Sequence, residues 1–347
     1  MLRLSQLILL VAFLLLPLAL IAQNSIGNSS AALSIPTDPA EFLALAAKVN
    51  GLASDNVGPW HVKATFHLLD DQGKVRESGT YEAFWKSPNQ YKVSYSSPSY
   101  TQTIWANDSG NFATANLKWP GDIEWMIRRS LFDLVPEPDR LKNLNLQWRE
   151  TSKGIKVKCI DEIPVYGRLR LQGLPFYCFD IGTPILRFGS EAQQTYQGSF
   201  NNIASIGEAY VAKDVELAHD TKPYFRLHLD TLEPLHEAGD ELFRPDPVAV
   251  PVPRRIVIDS DLRDMHTIYK AGIPRSAFAG SRSPMMRDPE VIVQVLVNKK
   301  GKVVDARSIK GDSYSQFQGI AAARQWEFKS YLIQGEPTEF YTELEFF

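Results

Sequence analysis

Six histidines, His61, His67, His219, His228, His236 and His266, are the side chains best suited to proton transfer or metal binding. No two of them form the HxxxH or HExxH pair that puts two imidazoles on one helix face. Ser109 stands beside Asp108 in "NDSGN", but lacks the flanking glycines of a nucleophile elbow, and turn chemistry accounts for it. Asp70, Asp71 and Glu77 gather around one hairpin, where solvated carboxylates are ordinary. Neither GxGxxG nor GxxxxGKS/T occurs, so no nucleotide cradle is indicated. The chain reads as a protein that is not an enzyme, with no cofactor and no metal; a hydrolase that the sequence conceals stays as an alternative.

Two cysteines remain, Cys159 in "IKVKCIDEI" and Cys178 in "LPFYCFDIG". Both lie in β-type apolar stretches joined by a short connection, so their strands can be neighbours. In an exported chain the default is one disulfide. A nucleophilic cysteine is the sharper alternative, although neither has a histidine close in sequence. Export is read from "MLRLSQLILLVAFLLLPLALIAQ", in which Arg3 precedes an apolar run from Leu7 to Ala22. The run is interrupted by Pro17, and at roughly 16 residues it is short of the about 20 that span a bilayer. It reads as a signal peptide, residues 1–22, with an uncleaved anchor as the alternative, and places the protein in the periplasm. The net charge of -3 and the 22% charged content give no reason for a nucleic-acid partner.

The elements that would carry any site follow from periodicity. After a small, polar lead at 23–36, "DPAEFLALAAKVNGL" is helical, with Phe42, Leu43, Leu45, Ala46 and Val49 as its apolar positions. The period then becomes two. In the strand "GTYEAFWKS", Tyr81, Ala83 and Trp85 share one face and Glu82 and Phe84 the other. A hairpin turns at Asn107–Gly110. "DIEWMIRRSLFDLV" is an amphipathic helix capped by Asp122, with a stripe of Ile123, Met126, Ile127, Leu131 and Leu134, ended by Pro136. More strands run from about Leu144 to Leu235. The class is α+β: an antiparallel curved sheet, a half-barrel with a helical lid, over 37–242.

Residues 243–255, with Pro245, Pro247, Pro251 and Pro253, read as a stiff extended linker. At ~3.1 Å per residue it reaches roughly 40 Å. Residues 256–347 form a second module in the order β-β-α-β. Val291, Val293, Val295 and Val297 alternate on one strand, "NKKG" turns into the return strand, and a helix buries Phe317, Ile320 and Ala321. The last strand sets Phe340, Leu344 and Phe346 against Glu339, Glu343 and Glu345, with one face packed and one wet.

Residues from about 290 resemble the TonB C-terminal domain. The matching positions are Gly301, Val303, Ala321, Ala322, Trp326, Phe328, Gly335, Pro337 and Phe346, with Ser330 where that family usually has proline. The resemblance implies docking of a cell-envelope protein, such as an outer-membrane receptor, by strand addition. The edge expected to receive it is the last strand, at Glu339, Tyr341, Glu343 and Glu345. Trp326 and Phe328 are expected in the core, with partner contact as the alternative. The N-terminal part resembles, more weakly, the LolA-like lipoprotein-carrier half-barrel. That likeness implies a lipid or other apolar ligand, in a cavity lined by Trp85, Trp105, Phe112, Trp119 and Trp125; plain core is the alternative for these rings. Docking is the first reading of function and carriage the second.

Overall fold

The computed structural model describes residues 34–346 apart from 54–56, 116, 118, 120, 133, 136–143, 153–154, 165–175, 191–195, 220, 237–238, 259–262, 264–265, 274–290 and 334. The expected signal peptide, most of the expected polar lead and Pro136 lie outside the described residues. Residues 35–347 cluster as one compact unit.

Helix α1 (Pro39–Val49) starts as its sequence demands. Asp38 caps it, its carboxylate accepting from the Ala40 and Glu41 amides at 2.9 and 3.0 Å, and Pro39 fits the first turn. A first meander follows: β1 (Trp60–Leu69), β2 (Val75–Ser87), β3 (Gln90–Ser96), β4 (Thr101–Asn107) and β5 (Gly110–Ala113). Helix α2 (Asp122–Leu131) then leads to a second meander of β6 (Leu144–Ser152), β7 (Lys156–Pro164), β8 (Phe176–Asp180), β9 (Leu186–Ser190), β10 (Tyr196–Ile206), β11 (Ala209–His219) and β12 (Lys222–Pro234). The two meanders join where β12 pairs with β1, Phe66 opposite Leu227. With β13 (Val250–Pro251) on β5, the result is one 13-stranded antiparallel sheet. Its right-handed twist accumulates over so many strands, which curls it.

Alternation decides which face is filled. Val62, Ala64, Phe66, Tyr81 and Ala83 lie at or below 1% exposure in one core with α1 and α2. On the opposite face the His61 ring stacks on Phe84 at 4.1 Å. Helix α2 differs in detail from expectation. Its cap is Gly121, with Asp122 as the first helical residue, and it ends at Leu131, so Leu134 lies beyond it.

Cys159 and Cys178 stand directly opposite each other on β7 and β8 and are disulfide-bonded. They are buried with Val157. Thiol labelling of the denatured, unreduced protein should find no free cysteine. Reduction should lower stability by about 3 kcal/mol, as for a closed loop of this size.

In the C-terminal part the main elements are β16 (Val291–Val297), β17 (Val303–Lys310), α3 (Ser313–Ala323) and β20 (Glu336–Phe346). Short strands β14 (Arg255–Val257) and β19 (Tyr331–Ile333) join that sheet, and β15 (Thr267–Tyr269) pairs with β18 (Glu327–Phe328). Three expectations for this region need correction. Helix α3 does not bury Phe317, which is 69% exposed, but Ser315, Gly319, Ala322 and Ala323. Small residues let the helix approach the sheet closely: a Cβ on Gly319 would lie 2.6 Å from Val291 Cγ1. Strand β20 is not an edge, because the sheet order is β14-β20-β16-β17 and β19 pairs with β20 as well. Nor is its second face wet, since Tyr341 and Leu296 pack with Val257 and with Trp125 of α2.

The proline-rich segment is extended but not a free spacer. Phe243 is fully buried, and Asn107 Nδ2 donates to its carbonyl. Val250 and Pro251 pair with β5. Arg255 to Val257 run parallel to Glu339–Tyr341. One stretch of chain thus adds a strand to each sheet in turn, which the absence of proline amide donors permits only at sheet margins.

Candidate functional site

Between the curled sheet, α2 and the C-terminal module lies a cavity of about 800 Å³, within the usual range for small-molecule sites. Its floor comes from the first meander, where the period of two turns Tyr81, Trp85, Val93, Tyr95, Ile104 and Ala113 to the same side. Register makes these neighbours: Tyr81 faces Tyr95, Ala83 faces Val93, and Ile104 faces both Val93 and Ala113. The Tyr81 and Tyr95 rings lie 5.3 Å apart, and Trp85 stacks on Trp60 at 5.9 Å. One side is α2, through Glu124, Ile127 and Arg128. The other is the end of the proline-rich strand and the C-terminal module, through Val257, Tyr331, Ile333 and Tyr341.

Of the rings expected to line such a cavity, Trp85 and Trp119 do so and Trp105, Phe112 and Trp125 do not. Trp105 and Phe112 are cross-strand partners, one residue out of phase with Ile104 and Ala113, so they point to the other face of the sheet. Trp125 lies at the junction with the C-terminal module. At the same junction Gln294, 1% exposed, accepts from Arg307 Nε at 2.8 Å and donates to Glu343 Oε1 at 3.1 Å. Glu343 also faces Arg129 of α2 at 3.9 Å. Glu339 pairs with Arg255 at 3.0 Å, and the Arg255 guanidinium donates to the Tyr341 hydroxyl. The residues expected to receive a partner strand therefore hold β14 and α2 of this chain instead. Glu345 lies opposite Ile292 in the same register.

The residue that sequence reading passed over is Glu124. In sequence it is one of two acids in the first turn of a helix, where the macrodipole explains it. In the fold it faces the cavity and accepts a hydrogen bond from the Tyr100 hydroxyl. Burial pushes its carboxyl pKa up, against the hydrogen bonds from Tyr100 and the Gly121 amide. Burial, and then the Glu124 charge, push the Tyr81, Tyr95 and Tyr100 phenols up. No lysine or arginine pairs with Glu124 among the described residues.

The histidines disperse. His61 sits between Glu82 at 3.1 Å and Glu233 at 2.8 Å, His67 meets Ser78, and His228 meets Asp214. No group of metal-holding side chains forms among the described residues. Ser109 is in the β4–β5 turn, its amide donating to Asn107. Asp70 closes the β1–β2 turn by accepting from the Gln72 and Lys74 amides, while Glu77 accepts from Ser99.

No family model matches the chain, and no curated protein matches it. Solved structures similar to it include a LolA superfamily protein from Nitrosomonas europaea, 8% identical, covering 60% of this chain and 98% of that one with a TM-score of 0.37. An outer membrane lipoprotein-sorting protein domain from Vibrio parahaemolyticus is 10% identical, with 55% and 90% covered and a TM-score of 0.34. A DUF1329 family protein from Desulfovibrio piger is 12% identical, with 60% and 98% covered and a TM-score of 0.37. All three likenesses are distant.

Proposed function

We propose that this protein is a non-enzymatic carrier of an apolar or amphiphilic ligand, such as a lipid, and that it works in the periplasm. The observation that carries this reading is the cavity itself. It is large enough for an alkyl chain, and its floor is aromatic and aliphatic with a few polar groups set among them. The disulfide is in keeping with an oxidising compartment. No helix among the described residues is long and apolar enough to cross a membrane.

Docking of an outer-membrane receptor on the last strand is the less favoured reading. A partner strand added along β20 would have to displace β14, β16 or β19, which pair with it. In the carrier reading the TonB-like module has a different task. It closes the cavity, while its Trp326 and Phe328 hold its own core together.

Trp60, Trp85 and Trp119 all line the cavity, so titration with dodecyl maltoside below its micellar range should change tryptophan emission and saturate. Ala113→Trp, which fills the floor, should weaken that binding at least tenfold while leaving the circular-dichroism melt cooperative. Unchanged emission in the unsubstituted protein, or unchanged affinity in a folded Ala113→Trp, would defeat the carrier reading.

A further inference from the structure

The charges inside the cavity are not evenly placed. Arg255 is neutralised by Glu339. Arg254 is held by the Pro88 carbonyl at 2.8 Å and Asn89 Oδ1 at 3.0 Å, at the β2–β3 turn. Arg128, one helical turn beyond Glu124, faces the same space. Glu124 differs from all of these. Its carboxylate accepts from the Tyr100 hydroxyl, and the Tyr100 ring packs on Tyr95, which packs on Tyr81. A carboxylate withdrawn from water among aromatic rings is costly unless a cation or a proton joins it.

A second observation points the same way. Gln102 is 4% exposed on the same wall, directly opposite Tyr95 in register. Its amide N–H donates to the Ala115 carbonyl at 3.0 Å, which leaves Oε1 without a donor among the described residues. That wall therefore carries a carboxylate and, beneath it, an amide oxygen without a donor, set among tyrosine rings. Aromatic surfaces beside a carboxylate are the surroundings that bind organic ammonium groups.

Resting on the carrier reading, we propose that the ligand is an amphiphile with an ammonium head, seated against Glu124 among Tyr81, Tyr91 and Tyr95, with its alkyl chain along Val93, Ile104 and Ala113. The head exchanges water for the carboxylate and the ring faces. The chain takes the aliphatic floor, so head and tail are recognised by different strands of one meander.

The test compares four twelve-carbon probes below their micellar ranges, by calorimetry on the full chain: dodecyltrimethylammonium, dodecylphosphocholine, dodecyl maltoside and dodecanoate. Dodecyltrimethylammonium should bind about tenfold more tightly than the maltoside, about 1.4 kcal/mol, and dodecanoate more weakly than either. Glu124→Gln should erase the advantage of both ammonium probes and leave maltoside affinity within twofold. Tyr95→Leu, which removes a ring without changing charge, should reduce the advantage severalfold. Equal binding of the ammonium and maltoside probes, tighter binding of dodecanoate, or an advantage that survives Glu124→Gln would overturn the ammonium site and leave the carrier standing. Binding of none of the four would overturn the carrier, and this site with it. The comparison among probes on the unsubstituted protein decides the matter even if Glu124→Gln does not fold.

Discussion

Trp326→Ala is expected to lower the stability of the C-terminal module by about 3–5 kcal/mol, the cost of deleting a large buried aromatic side chain. Trp326 is 7% exposed, with ring centroids 6.1 Å from Phe328 and 6.2 Å from Phe346. Its indole N–H donates to the Ala271 carbonyl at 2.8 Å. Alanine would leave a void between α3 and the sheet and strand that carbonyl, and the two losses add. Trp326→Phe keeps most of the packing and loses the hydrogen bond, so its cost should be smaller, about 1–3 kcal/mol. Urea unfolding followed by circular dichroism reads both. A midpoint unchanged in Trp326→Ala would mean that the indole lies outside the core and is available to a partner.

Sequence made the curled sheet readable because alternation is a local signal. Tyr81, Ala83 and Trp85 had to share a face in any sheet, and Cys159 and Cys178 sat in strands joined closely enough to pair. What escaped was set by contacts distant in the chain. Helix α3 offers both Phe317 and the small run Gly319, Ala322, Ala323, and hydrophobicity favours the first. The fold chose the second, since close approach to Val291 and Val293 needs Gly319. Strand β20 looked like half of an exposed edge because its glutamates alternate with phenylalanines. Glu339 and Glu343 instead meet arginines from β14 and α2, so charge in this strand signals neighbours within the chain and not an open edge. The site suffered most. Trp105 and Phe112 drew attention by size, and a one-residue phase puts them on the wrong face. Glu124 offered only its place in a helix's first turn, and Tyr95 and Tyr100, which give it meaning, come from another part of the chain.

Two glycines of the C-terminal module share a left-handed backbone and should differ sharply on substitution. Gly301 has φ +77° and Gly335 has φ +84°, a region that costs other residues about 1–2 kcal/mol. Nothing lies within 4 Å of a Cβ built on Gly335, so Gly335→Ala should cost about that much and no more. At Gly301 the same Cβ would lie 1.8 Å from the Phe328 carbonyl oxygen. This oxygen belongs to backbone, which cannot rotate aside as a side chain would. Moving it also breaks the bond in which the Phe328 amide donates to the Gly301 carbonyl at 2.8 Å. That bond ties the β16–β17 turn to the segment after α3, and Phe328 is 2% exposed in the module core. Gly301→Ala should therefore cost about 3–4 kcal/mol, the left-handed penalty plus an overpacking penalty. Paired urea titrations of the two variants measure the difference directly. Equal costs would mean that β18 gives way without loss, and that the turn and the core of this module are not coupled through Phe328.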